Sequence, residues 1–432
     1  MTAVGAFKVR RKMTSCATSV AVGLLPFLTA LPSRAAYSNY NSVLIGERAA
    51  GLAGAFTALT GDVAATPFYN PAGTVLMKGS SLSAAVNVYN KYESVIGNVG
   101  DFNESPQRLN RGYFRSLPSS SGTVLHFGSF AIGLSILVPD YDFYSGQLKG
   151  TTDDTAFLSN VDESLWVGST FSTRLTEIDS AGVSLYYTAR NLSRSTSDRL
   201  LTNGGTAAVI TSEEKNITAN SVVSVFGYQR RLSDTWVFGA SYRPPSLPIA
   251  GEGTYYKSIT DTNPYTSTVI NRSNLRALTK IPARLGLGLA REIKGRNTLS
   301  IDMHAYEGLS YRDLPELPEG ADQVDHKSVV NFSIGYEEEL DESFRLRFGF
   351  FTNRSSHPPP DVAAGVRQGD HVEMEGFSAN LNLKTKEGTS FTFGGYYTAG
   401  RGYSTQIVGN QLTVVPKTSQ VFTMLIATGF AF

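Results

Sequence analysis

The stretch VLIGERAAGLAGAFTALTGDVAATPFYNPAG, residues 43–73, is unlike everything downstream of it. Small residues recur at close intervals, among them Gly46, Ala49, Ala50, Gly51, Ala53, Gly54 and Ala55. One charge pair, Glu47 and Arg48, sits among them, and the turn-forming run Asn70-Pro71-Ala72-Gly73 closes the stretch. Small side chains let one backbone lie directly against another surface. From residue 80 the chain reads as alternating strands joined by polar connections. Residues 36–79 are therefore expected to form a hatch and residues 80–432 a wall around it.

The N-terminus has a different character. Lys8, Arg10, Arg11 and Lys12 precede an apolar run over 16–31 and a small-residue site at Ser33-Arg34-Ala35, the pattern of a secretory signal over 1–35. The apolar run contains Pro26 and is shorter than the roughly 20 residues of a spanning helix. The single cysteine, Cys16, falls inside this segment, so the mature chain is expected to have neither disulfides nor thiolate metal sites. No later apolar segment reaches the length of a membrane helix. A net charge of +1 offers nothing to nucleic acid.

Fourteen segments alternate with the period of two that a strand requires: 80–90, 122–127, 129–138, 161–174, 178–192, 217–231, 235–255, 280–292, 297–306, 327–339, 343–353, 371–383, 389–399 and 420–432. In one of them Val330, Phe332, Ile334 and Tyr336 alternate with Asn331, Ser333, Gly335 and Glu337. The connections alternate too, from short turns to polar stretches such as 91–121, 193–216 and 400–419. Short turns at one end and long loops at the other predict an all-β fold, a transmembrane antiparallel β-barrel of about 14 strands in an outer membrane. Its backbone diameter would be about 28 Å, wide enough for a folded segment of a few dozen residues. The last strand places Phe422, Met424, Ile426, Phe430 and Phe432 on one face, the form of a C-terminal signal for the barrel-assembly machinery.

At this point the sequence resembles the FadL/TodX family of outer-membrane transporters of long-chain fatty acids and other hydrophobic compounds. The resemblance rests on GERAAGLAGAFTAL, residues 46–59, and on Tyr69-Asn70-Pro71-Ala72-Gly73. It implies a fourteen-stranded barrel with an N-terminal hatch and passive transport of a hydrophobic substrate, with exit sideways at a kinked third strand. The hatch and gating residues would be Gly46, Glu47, Arg48, Gly51, Gly54, Asn70, Pro71 and Ala72. Thr66-Pro67 departs from the small residues usual before that motif. Gly128 and Gly133 are the residues available for the strand kink.

Other chemistry finds little support. The glycine spacing fits neither a dinucleotide loop nor a P-loop. There is no G-x-S-x-G elbow, and His304 beside Asp302 reads as a polar lumen pair, so no enzyme is expected. No cofactor or metal is called for, and the loop acids Asp153, Asp154, Asp322 and Asp325 read as solvated charge. Lipid and lipopolysaccharide would surround the wall. The competing class is a structural or adhesive outer-membrane barrel that binds partners through its extracellular loops.

Overall fold

A computed structural model describes residues 39–77, 79–96, 107–111, 117–149, 155–202, 205–317, 323–364, 368–386, 388–408 and 411–431. The expected signal segment, the first residues of the expected hatch and Phe432 lie outside the described residues.

The wall is a closed antiparallel barrel of fourteen strands. In chain order they are β1 (Ser81–Ile96), β2 in two pieces (Gln107–Arg111 and Leu117–Phe127), β3 (Phe130–Lys149), β4 (Thr155–Arg174), β5 (Asp179–Thr202), β6 (Ala207–Arg231) and β7 in two pieces (Trp236–Arg243 and Leu247–Thr262). Then follow β8 in two pieces (Tyr265–Arg276 and Arg284–Ile293), β9 (Asn297–Tyr306), β10 (Val329–Glu339), β11 (Phe344–Asn353), β12 (His371–Lys384), β13 (Thr389–Val408) and β14 (Gln411–Ala431). Closure is made by β1 with β14, in register from Ser81↔Ala431 to Ile96↔Lys417. Both ends of the wall therefore lie at the short-turn end. A separate hairpin, Leu309–Arg312 with Gln323–His326, sits between β9 and β10.

Each expected strand has its counterpart, but several run further than expected. The stretch 193–216, expected as a loop, is mostly ladder: Ser193 pairs with Asn216 and pairing continues to Thr202↔Ala207. Likewise β13 and β14 stay paired from Gly400↔Ser419 to Val408↔Gln411. Beyond the lipid both faces of a strand meet water, so the apolar alternation stops while the hydrogen-bonded ladder goes on.

Outward side chains are apolar, as in Phe332, Phe377, Phe393 and Ile301, all about half exposed. Their neighbours along each strand are buried and largely polar, including Ser300, Asp302, His304, Asn331 and Asn380. An apolar exterior around a polar interior inverts the soluble pattern and is that of an outer-membrane barrel. Among the described residues no helix is long and apolar enough to cross a membrane, which says nothing of crossing by strands.

Residues 39–77 contribute no wall strand. They hold two short helices, α1 (Arg48–Gly51) and α2 (Ala65–Tyr69), and a 3₁₀ turn over Pro71–Leu76. Their partners lie all round the barrel: Ser120 on β2, Ser184 on β5, Gln229 on β6, Asp302 on β9, Glu337 on β10 and Asn380 on β12. A segment bonded to strands on every side is inside them.

Candidate functional site

The N-terminal segment is built around Asp62, which is buried. Its carboxylate accepts backbone N–H groups from Arg48 at 2.8 Å, Ala49 at 3.3 Å, Ala64 at 3.2 Å and Ala65 at 3.0 Å. One side chain so satisfies donors in the first turns of both helices, which would otherwise be orphaned in a buried place. Gly46 passes over this carboxylate with φ +84°, and a Cβ there would lie 2.3 Å from Asp62 Oδ2. Gly54 also has a positive φ, +79°.

The charge pair meets the inner wall. Arg48 donates from Nε and Nη2 to the two oxygens of Glu337, at 3.1 and 2.7 Å, and from Nη1 to the Thr60 carbonyl at 2.5 Å. Arg347 donates to the same Glu337 at 2.5 Å. Burial works against the Arg48 charge, but Glu337 and Glu292 outweigh it and hold the guanidinium above its usual range. Glu47 Oε2 accepts from the Thr392 hydroxyl at 3.0 Å, and its backbone carbonyl accepts from Asn380 at 2.8 Å. Gly51 lies so close to the wall that a Cβ would fall 2.3 Å from Asn380 Nδ2.

Asn70 is fully buried. Its Nδ2 donates to the carbonyls of Thr57 at 2.7 Å and Tyr228 at 3.0 Å, and its Oδ1 accepts from Ala72 N–H at 3.2 Å. Pro71 opens the 3₁₀ turn, where a missing N–H costs nothing.

Facing this segment is a set of wall glycines absent from the residues picked out by sequence. A Cβ on Gly227 would lie 2.1 Å from Asn70 Oδ1, on Gly182 2.6 Å from the Pro71 carbonyl, and on Gly239 2.0 Å from the Thr57 carbonyl. On Gly335 it would lie 2.6 Å from Leu52 Cβ, and on Gly349 2.5 Å from Ala53 Cβ. They come as cross-strand partners, Gly182↔Gly227, Gly239↔Gly288 and Gly335↔Gly349. Such pairs at the inward parity are the signal that could have found them. The polar lumen pair expected from sequence faces the segment: Asp302 Oδ2 accepts from Phe56 and Thr57 N–H, and His304 Nε2 meets Thr57 Oγ1 at 3.1 Å. That leaves both side chains engaged with the segment and turned away from any open space.

Above the segment lies a small cavity of about 40 Å³. Its walls include Tyr40, Phe68, Tyr69, Trp166 and Tyr306, together with Arg243 and Arg284. Three wall strands lose their regularity at this level, each at proline. On β3 the ladder to β4 slips between Leu137 and Asp140, and Leu137, Val138 and Pro139 are buried in succession where alternation should hold. β7 breaks at Pro244-Pro245, and β8 between Arg276 and Arg284, around Pro282. Proline offers no N–H to a ladder. The glycines expected to kink β3 are placed otherwise: Gly128 is in the turn before the strand, with φ +64°, and Gly133 pairs regularly with Val124 and Thr170. The irregularity belongs to Pro139, six residues further on. A wider polar vestibule of about 800 Å³, lined by Glu47, Arg48, Glu337 and Arg347 among others, opens below the segment at the short-turn end. Among the described residues no group of three metal-ligating side chains gathers.

No protein-family model matches the sequence, and no curated protein does. Solved structures match its fold closely. A FadL homologue of Pseudomonas aeruginosa aligns with a TM-score of 0.67 at 13% identity, covering 91% of this chain and all of that one. The Pseudomonas putida toluene transporter TodX aligns at 0.66 and 14% identity, covering 90% of this chain and 98% of that one. CymD, a monoaromatic hydrocarbon channel, aligns at 0.62 and 12% identity, covering 91% and 99%. With its closed fourteen-strand wall and the N-terminal segment seated within, the chain has the FadL/TodX fold, an outer-membrane β-barrel.

Proposed function

We propose that this protein carries hydrophobic compounds, long-chain fatty acids or similar lipids and hydrocarbons, passively across the outer membrane, with residues 36–79 acting as a hatch. The observation that carries this reading is the aromatic-lined cavity between the N-terminal segment and the three proline breaks in the wall. A solute gains about 0.8 kcal/mol for each methylene it withdraws from water, so such a cavity captures apolar molecules with no energy source. An open aqueous pore would offer them nothing. The break at Pro139 is the place for lateral exit to the bilayer, and the toluene and hydrocarbon channels named above support the substrate class. Around the wall we place lipid and lipopolysaccharide, with the barrel-assembly machinery reading the C-terminal strand through Phe432.

Deleting the turn at Asn70 to Gly73 tests the hatch. The barrel is expected to remain folded, seen as heat-modifiable migration on gels, while uptake of a labelled apolar solute stops; normal uptake sinks the reading. Mass spectrometry of protein extracted in mild detergent is expected to find an apolar ligand near one per chain, above background lipid.

A further inference from the structure

Resting on the transport reading above, we propose that residues 277–283, between the two pieces of β8, form a gate in the wall through which an apolar solute passes between the cavity and the outer leaflet, separate from the break at Pro139. The cavity of about 40 Å³ has room for a few waters and for no solute of that class, so one of its walls must move when a solute enters. Much of the lining is rigid ladder. Trp166 and Thr188 belong to β4 and β5, which pair without a slip from Thr155↔Arg199 to Arg174↔Ser180. Residues 279–282 line the same cavity and lie in no ladder. On one side, pairing with β7 stops at Arg276↔Glu252 and resumes only at Arg284↔Arg243. On the other, pairing with β9 ends at Arg284↔Tyr306, and the chain beyond Tyr306 turns away into the hairpin. The ladder at Pro139, by contrast, resumes at once with Asp140↔Ser164.

The main-chain bonds of this segment run to four separate partners. Ala277 N–H donates to Gly251 at 3.0 Å and Leu278 N–H to Asp313 at 2.8 Å, while Ile281 accepts from Ser246 at 3.0 Å and Ala283 from Glu307 at 3.1 Å. Side chains add Ser246 Oγ, accepting from Ile281 N–H at 2.8 Å, Arg243 on the Pro282 carbonyl at 3.3 Å and Ser221 on that of Thr279 at 3.4 Å. In a ladder each rung braces the next. Here each stands alone, so the segment can swing without unzipping a strand. Outside it, Tyr242, Leu247, Ile249 and Leu285 are 43–69% exposed and apolar. Glu252, Arg276 and Glu307, nearer the long-loop end, are exposed and charged. The segment therefore lies at the upper edge of the apolar band, beside the outer leaflet. Irregular backbone at that depth is tolerated where it lines a cavity. Ile281 is the shutter: half-buried, it lines the cavity and packs against the buried cluster that holds Phe68 and Trp166.

The test is a reversible staple in the full-length protein. Ser246→Cys with Ile281→Cys ties the segment to β7 on oxidation, and Phe238→Cys with Leu289→Cys, partners in the regular ladder below, is the control. Initial uptake of radiolabelled toluene and palmitate is measured in cells producing each protein, against cells without it. Oxidising the gate pair should cut uptake at least fivefold, and reductant should restore it in the same cells; the control pair should change it less than twofold. Uptake within twofold once the gate staple is verified by mass spectrometry overturns the proposal, as does an equal loss with the control pair. Should the paired variant fail to fold, Ile281→Ala decides: a smaller shutter should raise toluene uptake at least twofold, and an unchanged rate overturns the gate. If the unaltered protein confers no uptake, the transport reading falls with it; if uptake is present and indifferent to the gate pair, only the gate is wrong.

Discussion

Asp302 on β9 and Thr57 in the N-terminal segment are joined through a buried carboxylate: Thr57 N–H donates to Asp302 Oδ2 at 2.7 Å, beside a second bond from Phe56 at 2.8 Å. Two buried peptide donors depend on one acceptor. Asp302→Ala leaves both orphaned, a local cost of about 2–5 kcal/mol. Amide hydrogen exchange should show Phe56 and Thr57 losing protection while the wall strands keep theirs. Unchanged protection would mean that the carboxylate does not anchor the segment.

Asn70 makes three bonds in a place with no exposure, two of them from its amide to the carbonyls of Thr57 and Tyr228. Asn70→Ala should loosen the turn by about 2–4 kcal/mol. Asn70→Asp should be at least as damaging, since it removes the two donors and buries a charge. Rates of proteolysis in the segment, compared between the two variants, read this order.

Glu337 holds two arginines, Arg48 from the segment and Arg347 from the wall. Glu337→Ala strips the buried Arg347 of its carboxylate and leaves the partly buried Arg48 with only Glu292, at 3.5 Å, and about 3–5 kcal/mol of stability should be lost. Replacing Arg48 by Met in the same chain removes the positive charge nearest the stranded Arg347. The double variant should therefore regain part of the loss in a urea midpoint, and strictly additive losses would show that the three groups do not act as a unit.

The wall glycines make a steric prediction. Gly335→Ala puts a methyl 2.6 Å from Leu52 Cβ and 2.7 Å from the Leu52 carbonyl. Neither neighbour is the tip of a flexible chain, so the segment must shift, at about 1–3 kcal/mol. Trypsin cleavage after Arg48 should accelerate with the barrel still closed. The outward change Ile334→Val, on the same strand, should not have this effect.

Outside the membrane, His357 gives a pH dependence. The ring is 4% exposed, its Nδ1–H donates to the Asp370 carbonyl at 2.9 Å, and its Nε2 is buried without a partner. Burial holds its pKa down to about 4, against the pull of Asp370, with Arg194 and His371 reinforcing the depression. Asp370 stays below the usual carboxylate range because Lys417 outweighs its burial. The folded loop thus favours neutral His357. Its stability is full above pH 6.5 and declines as pH falls from there to 4, by about 3 kcal/mol at most. Exchange at the His357 amide should rise over that window, and His357→Gln should flatten the rise.

What could be read from the chain follows the physics of its surroundings. Within the lipid, one face of each strand must be apolar and the other need not be, so Val330 to Glu337 announces itself as a strand. Between Ser193 and Asn216 both faces meet water, and the same ladder leaves no alternation to see. The segment at 43–73 stood out through its small residues, and Glu47, Arg48 and Asn70 do touch the wall. Asp62 could have been suspected as a capping acid ahead of an apolar run. The wall glycines and Asp302 gain their meaning from cross-strand register and from a backbone hundreds of residues away, which no local pattern encodes. Pro139 was legible as a strand breaker but was overshadowed by two glycines nearer the turn.

The paired glycines carry a mechanical consequence. Where Gly335 and Gly349 face Leu52 and Ala53, or Gly182 and Gly227 face the Asn70-Pro71 turn, the wall presents backbone with no side chain to interlock. Such a surface has no rotamers to reset and no knobs to withdraw. At these patches polar bonds alone set the position, whereas elsewhere the segment shares buried apolar clusters with wall side chains such as Leu137, Trp166 and Phe351, so any displacement would be guided by the smooth patches and resisted by the packed ones.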